Sequence, residues 1–178
     1  MSAKLLGFAA SVDVADHIAF AHAIRSELEA ARTLLGSNMV VVSSASNHAE
    51  LTFLRTCIEL RIPTIVFLPS DDSSLAELDS EKSRLRENLL SVSLAKYLIP
   101  VTSIAILEWA DALLCATCNH EDEILTDAIA LGIPTKTFHS SSLEAHWTHL
   151  PQPTNPAKHG FPTRRELLEF LDKRFLES

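Results

Sequence analysis

The chain has 178 residues, a formal net charge of −8 at pH 7 and a hydrophobic fraction of 47%. This length and composition are typical of one globular domain with a buried core, and they exclude a disordered chain. The longest basic run is the pair Arg164–Arg165, so we expect neither a nucleic acid nor a membrane as a partner. No apolar stretch approaches the roughly 18 residues that span a bilayer, and no leader cleavage site is recognisable, so we expect a cytoplasmic protein.

Apolar segments predict five strands, at residues 4–10, 38–44, 63–69, 111–118 and 134–138. The first four are nearly continuous apolar runs, which is typical of parallel strands covered on both faces. Amphipathic stretches with a helical period separate them, at 13–35 and 47–61. This alternation predicts an α/β fold, a Rossmann-like doubly wound sheet of about five parallel strands with helices on both faces, in a single domain.

The remaining segments are assigned from composition and periodicity. Residues 73–98 look helical, and 102–110 predict a short helix before the fourth strand. We assign residues 1–138 to the Rossmann-like domain, 139–162, rich in Ser, Pro, His and Asn, to a surface loop, and 163–178 to a C-terminal helix packed on the same domain. Thr163 and Glu166 have the spacing of a capping box at the start of that helix.

Residues 85–99 contain an apolar stripe. Its members are Leu85, Leu89, Val92, Leu94, Tyr97 and Leu98. The three cysteines predict no disulfide framework. Cys115 and Cys118 form a C-x-x-C pair, but a structural zinc site normally needs a second pair, so we expect buried strand cysteines and no metal or cofactor.

In a doubly wound fold, ligands bind beyond the carboxyl ends of the strands. At those ends, the loops that follow strands one, two and four contain eight candidate ligand-binding residues: Ala10, Ser11, Ser43, Ser44, Ser46, Asn47, Glu50 and Asn119. A helix N-terminus attracts an anion, and serine hydroxyls can donate hydrogen bonds to a phosphate. A carboxylate such as Glu50 suits ribose hydroxyls instead.

The same polar residues have a purely structural interpretation as helix caps. Asn47 and Glu50 have the spacing of a capping box, and Asp13 or Asp16 is placed to cap the first helix. Asn119 is placed as the N-cap of the next-to-last helix, with Asp122 three residues later. Both interpretations, ligand site and caps, remain open at this point.

Two long segments carry a family resemblance. Residues 38–69, "NMVVVSSASNHAELTFLRTCIELRIPTIVFLP", resemble the central segment of the SLOG superfamily of DNA-processing protein A and the LOG nucleosidases, and residues 107–138 resemble its second half. The resemblance implies a Rossmann-like sheet that binds a nucleotide or nucleotide-derived ligand at the strand ends. By position, Ser43, Ser44 and Ala45 replace a glycine-rich turn, and Glu50 matches the family's acidic residue. Helices that flank the sheet often form homodimers in this superfamily, so the resemblance makes the apolar stripe in residues 85–99 a candidate homodimer surface.

Enzymes of that superfamily cleave N-glycosidic bonds of nucleoside monophosphates, and their second glycine-rich signature falls at residues 118–123. Neither turn contains a glycine here, so we favour binding over hydrolysis. Residues 56–67, "TCIELRIPTIVF", are similar to the C-x-x-E-L helix of TIR domains. This resemblance implies that Glu59 is a catalytic residue in cleavage of the nicotinamide–ribose bond of NAD. By its period alone, Glu59 is a solvent-facing helix residue.

Three functions are therefore considered. The first is binding or sensing of a nucleotide-related small molecule. The second is a non-catalytic protein-interaction or dimerisation module that has lost its ligand. The third is an N-glycosidase acting on a nucleoside monophosphate or NAD, for which Glu50, Glu59 and Glu123 are the candidate catalytic residues.

Overall fold

A computed structural model describes residues 3–11, 14–69, 79–99, 102–117, 122–139 and 142–149. In chain order the elements are β1 (Lys4–Ala10), α1 (His17–Leu35), β2 (Met39–Ser44), α2 (His48–Glu59), β3 (Thr64–Pro69), α3 (Ser80–Val92), β4 (Ala95–Ile99), α4 (Thr102–Trp109), β5 (Ala112–Thr117), α5 (Glu123–Ala130), β6 (Thr135–His139) and β7 (Ala145–His149). No helix in these ranges has the length and apolar character that crossing a membrane requires.

The strands form one sheet in the order β4-β3-β2-β1-β5-β6-β7. Neighbours from β4 to β6 pair in parallel, and β7 pairs antiparallel with β6. The chain extends the sheet from β1 in one direction through β4 and then crosses to the other side of β1 with β5. The α/β, Rossmann-like, single-domain prediction is confirmed, and its switch point lies between β1 and β5.

Helices cover both faces of the sheet, as predicted. Leu5 of β1 packs with Trp109 of α4 on one face, whereas the next residue, Leu6, packs with Phe20 and Ile24 of α1 on the other. This alternation follows from the period of two along a strand. The approach of α4 explains the glycine in β1, because a Cβ at Gly7 would lie 2.9 Å from the Ile106 Cγ2 atom of this helix.

Residues 73–98 were predicted to be helical, but the described part of this segment forms both a helix and a strand. Helix α3 ends at Val92, and β4 pairs with β3 from Ala95 to Ile99. Tyr97 of this strand packs against Phe67 and Trp109, with ring centroids 6.1 and 5.5 Å away. Tertiary pairing and packing override the local helical pattern here.

The predicted dimer stripe therefore does not form one helical surface. Leu89 is buried inside the domain, whereas Val92 is 60% and Leu98 71% exposed, on a helix and a strand respectively. A seventh strand, β7, lies within residues 139–162, which were predicted to be a surface loop. Over the described residues, the sheet has two strands more than predicted. The expected C-terminal helix at 163–178, with Thr163 and Glu166, lies outside the described residues.

Candidate functional site

The turn between β2 and α2 is held by the N-cap residue of α2, Asn47. The Asn47 Oδ1 atom accepts a hydrogen bond from the Glu50 backbone N–H at 2.9 Å, which confirms the predicted cap. The Asn47 Nδ2 group donates to the Ala10 carbonyl oxygen at 3.0 Å. One asparagine thus satisfies a free N–H of the helix and fixes the turn to the end of β1.

Glu50 turns its carboxylate back into this turn. The Glu50 Oε2 atom accepts hydrogen bonds from the Ser44 hydroxyl at 2.5 Å and from the Ser46 backbone N–H at 2.9 Å. The residue is only 4% exposed. Burial raises the pKa of the Glu50 carboxyl above its ordinary value of 4.5, and the hydrogen bonds from Ser44 and Ser46 oppose part of that rise. A side-chain carboxylate therefore lies where a bound anion would meet the start of a helix.

The strand serines direct their hydroxyl groups into the protein. Ser43 donates to the carbonyl oxygens of Phe8 at 3.0 Å and Ser44 at 3.2 Å. Ser43 and Ser44 are at most 1% exposed. Ser46, which is partly buried, donates to the Ser44 hydroxyl oxygen at 3.1 Å. Of the three serines predicted to line an anion site, only Ser46 reaches the surface.

Asp122 makes a similar set of contacts at the start of α5. Asp122 is the N-cap of this helix and accepts the Ile124 N–H at 2.9 Å. The Asp122 Oδ2 atom also accepts hydrogen bonds from the Thr117 hydroxyl at 3.1 Å and from the Ser11 hydroxyl. The prediction that Asn119 is the cap is wrong, because the helix begins at Glu123, and Asn119 itself lies outside the described residues.

The end of β1 contacts both the β2–α2 turn and the start of α5. Ala10 accepts from the β2–α2 turn, and the exposed Ser11 donates to Asp122. The Ser11 backbone N–H also donates to the Ala116 carbonyl oxygen at 3.2 Å, so β1 and β5 stay paired to this point. We call the sheet edge at which β1, β2 and β5 end the carboxyl edge. It carries Ala10, Ser11, Ser46, Asn47, Glu50 and Asp122.

The carboxyl groups of Glu50 and Asp122 both influence Cys115 of β5. Burial, followed by the negative charges of Asp122 and Glu50, raises the pKa of the Cys115 thiol to about 12. A thiol with this pKa carries almost no thiolate at neutral pH and is a poor nucleophile. The prediction of a buried strand cysteine is confirmed for Cys115, and Cys118 lies outside the described residues.

A pair of histidines at the starts of α1 and α2 was not predicted from the sequence. His17 and His48 are the first residues of α1 and α2, and their ring centroids are 3.5 Å apart with an angle of 33° between the rings. The Thr52 hydroxyl lies 3.4 Å from the His17 Nδ1 atom. Each histidine directly follows an N-cap residue, Asp16 or Asn47, and that shared position is the only signal in the sequence.

The three candidate catalytic glutamates do not lie together. Glu59 is the last residue of α2, nine positions after Glu50, which corresponds to about 14 Å along the helix axis. It forms ion pairs with Arg25 at 2.7 Å and Arg55 at 3.7 Å. Glu123 is exposed in the first turn of α5. Only Glu50 combines burial and a raised pKa at the carboxyl edge, the combination expected of a functional carboxyl group.

The Ser44 and Ser11 hydroxyl groups donate to the carboxylates of Glu50 and Asp122, so the oxygen of the exposed Ser11 faces outward as a hydrogen-bond acceptor. Within the described ranges, no group of three or more His, Cys, Asp and Glu side chains is placed to hold a metal ion. No protein-family model matches the sequence, and no curated protein matches it. The resemblances to SLOG and TIR domains therefore stay predictions.

Proposed function

We propose that the protein binds a nucleoside, or a nucleotide-derived ligand with few phosphates, at the carboxyl edge. The observation that carries this proposal is a repeated arrangement: Ser44 donates its hydroxyl proton to Glu50, and Ser11 donates its hydroxyl proton to Asp122. The two pairs come from different loops and lie on either side of the end of β1. Ser44 and Glu50 are buried, so the exposed Ser11 is the hydroxyl of these pairs that can contact a ligand.

A serine hydroxyl has one proton and two lone pairs. When the hydroxyl donates its one hydrogen bond to a carboxylate, its oxygen can only accept a hydrogen bond from a ligand. Ser11 is exposed, and its hydroxyl group donates a hydrogen bond to Asp122. A phosphate group at neutral pH carries only acceptor oxygens and needs donors, whereas ribose hydroxyls and exocyclic amino groups supply protons. The acceptor character of this edge therefore favours the sugar and base of a ligand over its phosphates.

Electrostatics favour the same ligand class. The backbone N–H groups of Ser46 and Ile124, which would suit a phosphate, are already bonded to Glu50 and Asp122. Glu123 adds a further carboxylate in the first turn of α5. The chain as a whole carries a formal charge of −8. Each phosphate added to a ligand raises its repulsion from this edge.

Thermal-shift measurements with adenosine, AMP, ADP and ATP test the proposal. A ligand that binds the native state raises the melting temperature, and we expect the rise to fall as phosphates are added. Ser11→Ala should abolish the rise, since it removes the exposed acceptor oxygen. Ser26→Ala is the matched control, because Ser26 is an exposed serine in the middle of α1. A rise that is largest for ATP would contradict the proposal.

A second candidate function is a non-catalytic interaction module. It is favoured by the same two carboxylates, because Glu50 and Asp122 satisfy from within the N–H groups that an external anion would use. In that case no nucleoside or nucleotide raises the melting temperature. Light scattering would then show a concentration-dependent increase in mass if the partner is a second copy of the chain.

A further inference from the structure

An apolar groove lies on the α1 face of the sheet, away from the carboxyl edge. It encloses a cavity of about 190 Å³ between the second half of α1 and strands β1, β5, β6 and β7. Ala30 and Leu34 line it from the helix, Leu114 from β5 and Trp147 from β7. We call it the α1–β7 groove. Among the described helices, only α1 contributes residues to its lining.

Large apolar side chains at this groove are exposed to solvent. Leu34 is 73% exposed and Trp147 is 44% exposed. Lys136 fixes the geometry beneath them, because it forms an ion pair with Glu27 and its Nζ atom lies 5.8 Å from the centroid of the Trp147 ring. Both charged side chains of that pair are only 18% exposed. A concave apolar surface whose base is held in place by such an ion pair is typical of a docking site.

We propose that residues 163–178 of the same chain dock in the α1–β7 groove as an amphipathic helix. The described chain ends with β7 at His149, two positions after Trp147, so the connection starts beside the groove. Residues 150–162 form that connection, and at about 3.4 Å per residue an extended chain of this length reaches roughly 40 Å. The docking segment therefore reaches any part of the groove without moving the sheet.

The composition of the segment fits this occupant. Its apolar residues recur at helical spacing, with Leu167, Leu171 and Phe175 each four positions apart. Leu168 and Phe170 widen the same apolar stripe. Such a stripe needs a partner surface, and a surface in the same chain is present at high effective concentration. This inference does not depend on the proposed ligand site.

Two exposed residues of α1 provide a matched test in the full-length protein. Leu34 is 73% and Ile18 is 74% exposed, but only Leu34 lines the groove. If the segment covers Leu34, Leu34→Ala removes a buried contact and should lower the melting temperature by about 5 °C or more, whereas Ile18→Ala should lower it by less than about 2 °C. Equal small shifts for the two variants would overturn the proposal.

A second pair of variants identifies the occupant. The double variant Leu171→Asp/Phe175→Asp should release the segment from the groove. In that background, Leu34→Ala should lower the melting temperature by less than about 2 °C. An undiminished effect of Leu34→Ala would show that another surface covers the groove. An effect that grows with protein concentration, together with a dimer mass in light scattering, would assign the groove to a second copy. Either result would overturn docking of the chain's own segment.

Discussion

The hydroxyl group of Ser11 donates a hydrogen bond to the carboxylate of Asp122, which connects the end of β1 to the first turn of α5. The two residues lie on opposite sides of the switch point between β1 and β5. Because Asp122 also caps α5, one carboxylate fixes the helix, the strand end and the direction of the Ser11 proton. The ligand preference proposed for the carboxyl edge depends on that direction.

We predict that Asp122→Ala lowers the free energy of unfolding by about 1–3 kcal/mol. The substitution removes the N-cap of α5 and the buried hydrogen bond that Asp122 accepts from the Thr117 hydroxyl. Urea unfolding measures the change. Asp127→Ala, at an exposed position of the same helix, is the control and should change the free energy by no more than about 0.5 kcal/mol. Equal losses for the two variants would contradict the structural role of Asp122.

The raised pKa of Glu50 predicts a pH dependence of stability. A carboxyl group whose folded-state pKa lies above its unfolded value binds more protons in the native state, so stability decreases as pH rises from about 4.5 through the folded-state pKa. Glu50→Gln keeps the shape of the side chain and removes this titration. The stability of the wild type relative to this variant should therefore fall over that pH range.

Urea unfolding between pH 4 and pH 8 provides the comparison for Glu50. Glu29→Gln, at an exposed site in α1, serves as the control because its carboxyl group faces solvent. A constant difference between the wild type and Glu50→Gln across the range would contradict the raised pKa.

We predict that Cys57 and Cys115 resist alkylation in the native protein. Both thiols are buried, and burial raises the pKa of each well above its ordinary value. Iodoacetamide at pH 8 should label neither residue until urea unfolds the chain, as determined by mass spectrometry of the peptides. Labelling of Cys115 at the rate of a free thiol would show that the carboxyl edge opens to β5.

The fold was largely predictable because its main signals are local. Nearly continuous apolar runs predicted β1, β2, β3 and β5, the segment 134–138 predicted β6, and helix caps at Asp16 and Asn47 were readable from neighbouring residues. Strands β4 and β7 were missed because both are edge strands that depend on pairing with one neighbour. Their sequences carry no continuous apolar run.

The candidate site was only partly predictable. Its loops follow from the fold class, and Glu50 was recognised as the acidic residue of the β2–α2 turn. The contact of Ser11 with Asp122 joins residues 111 positions apart, and the stacked pair of His17 and His48 joins two separate helix starts. Such relationships arise only when the sheet assembles, so no local pattern indicates them. The inward direction of the Ser43 hydroxyl is likewise a result of packing.

The most direct test of the central claim is a calorimetric comparison of adenosine with 2′,3′-dideoxyadenosine, repeated with Ser11→Ala. Ribose hydroxyls are the donors that an acceptor-rich edge should recognise, and a polar site discriminates strongly against a ligand that lacks its partner groups. We predict binding of adenosine by the wild type, at least tenfold weaker binding of the dideoxy compound, and loss of that difference in Ser11→Ala. Equal affinities of the wild type for the two nucleosides, or binding of neither, would contradict the account.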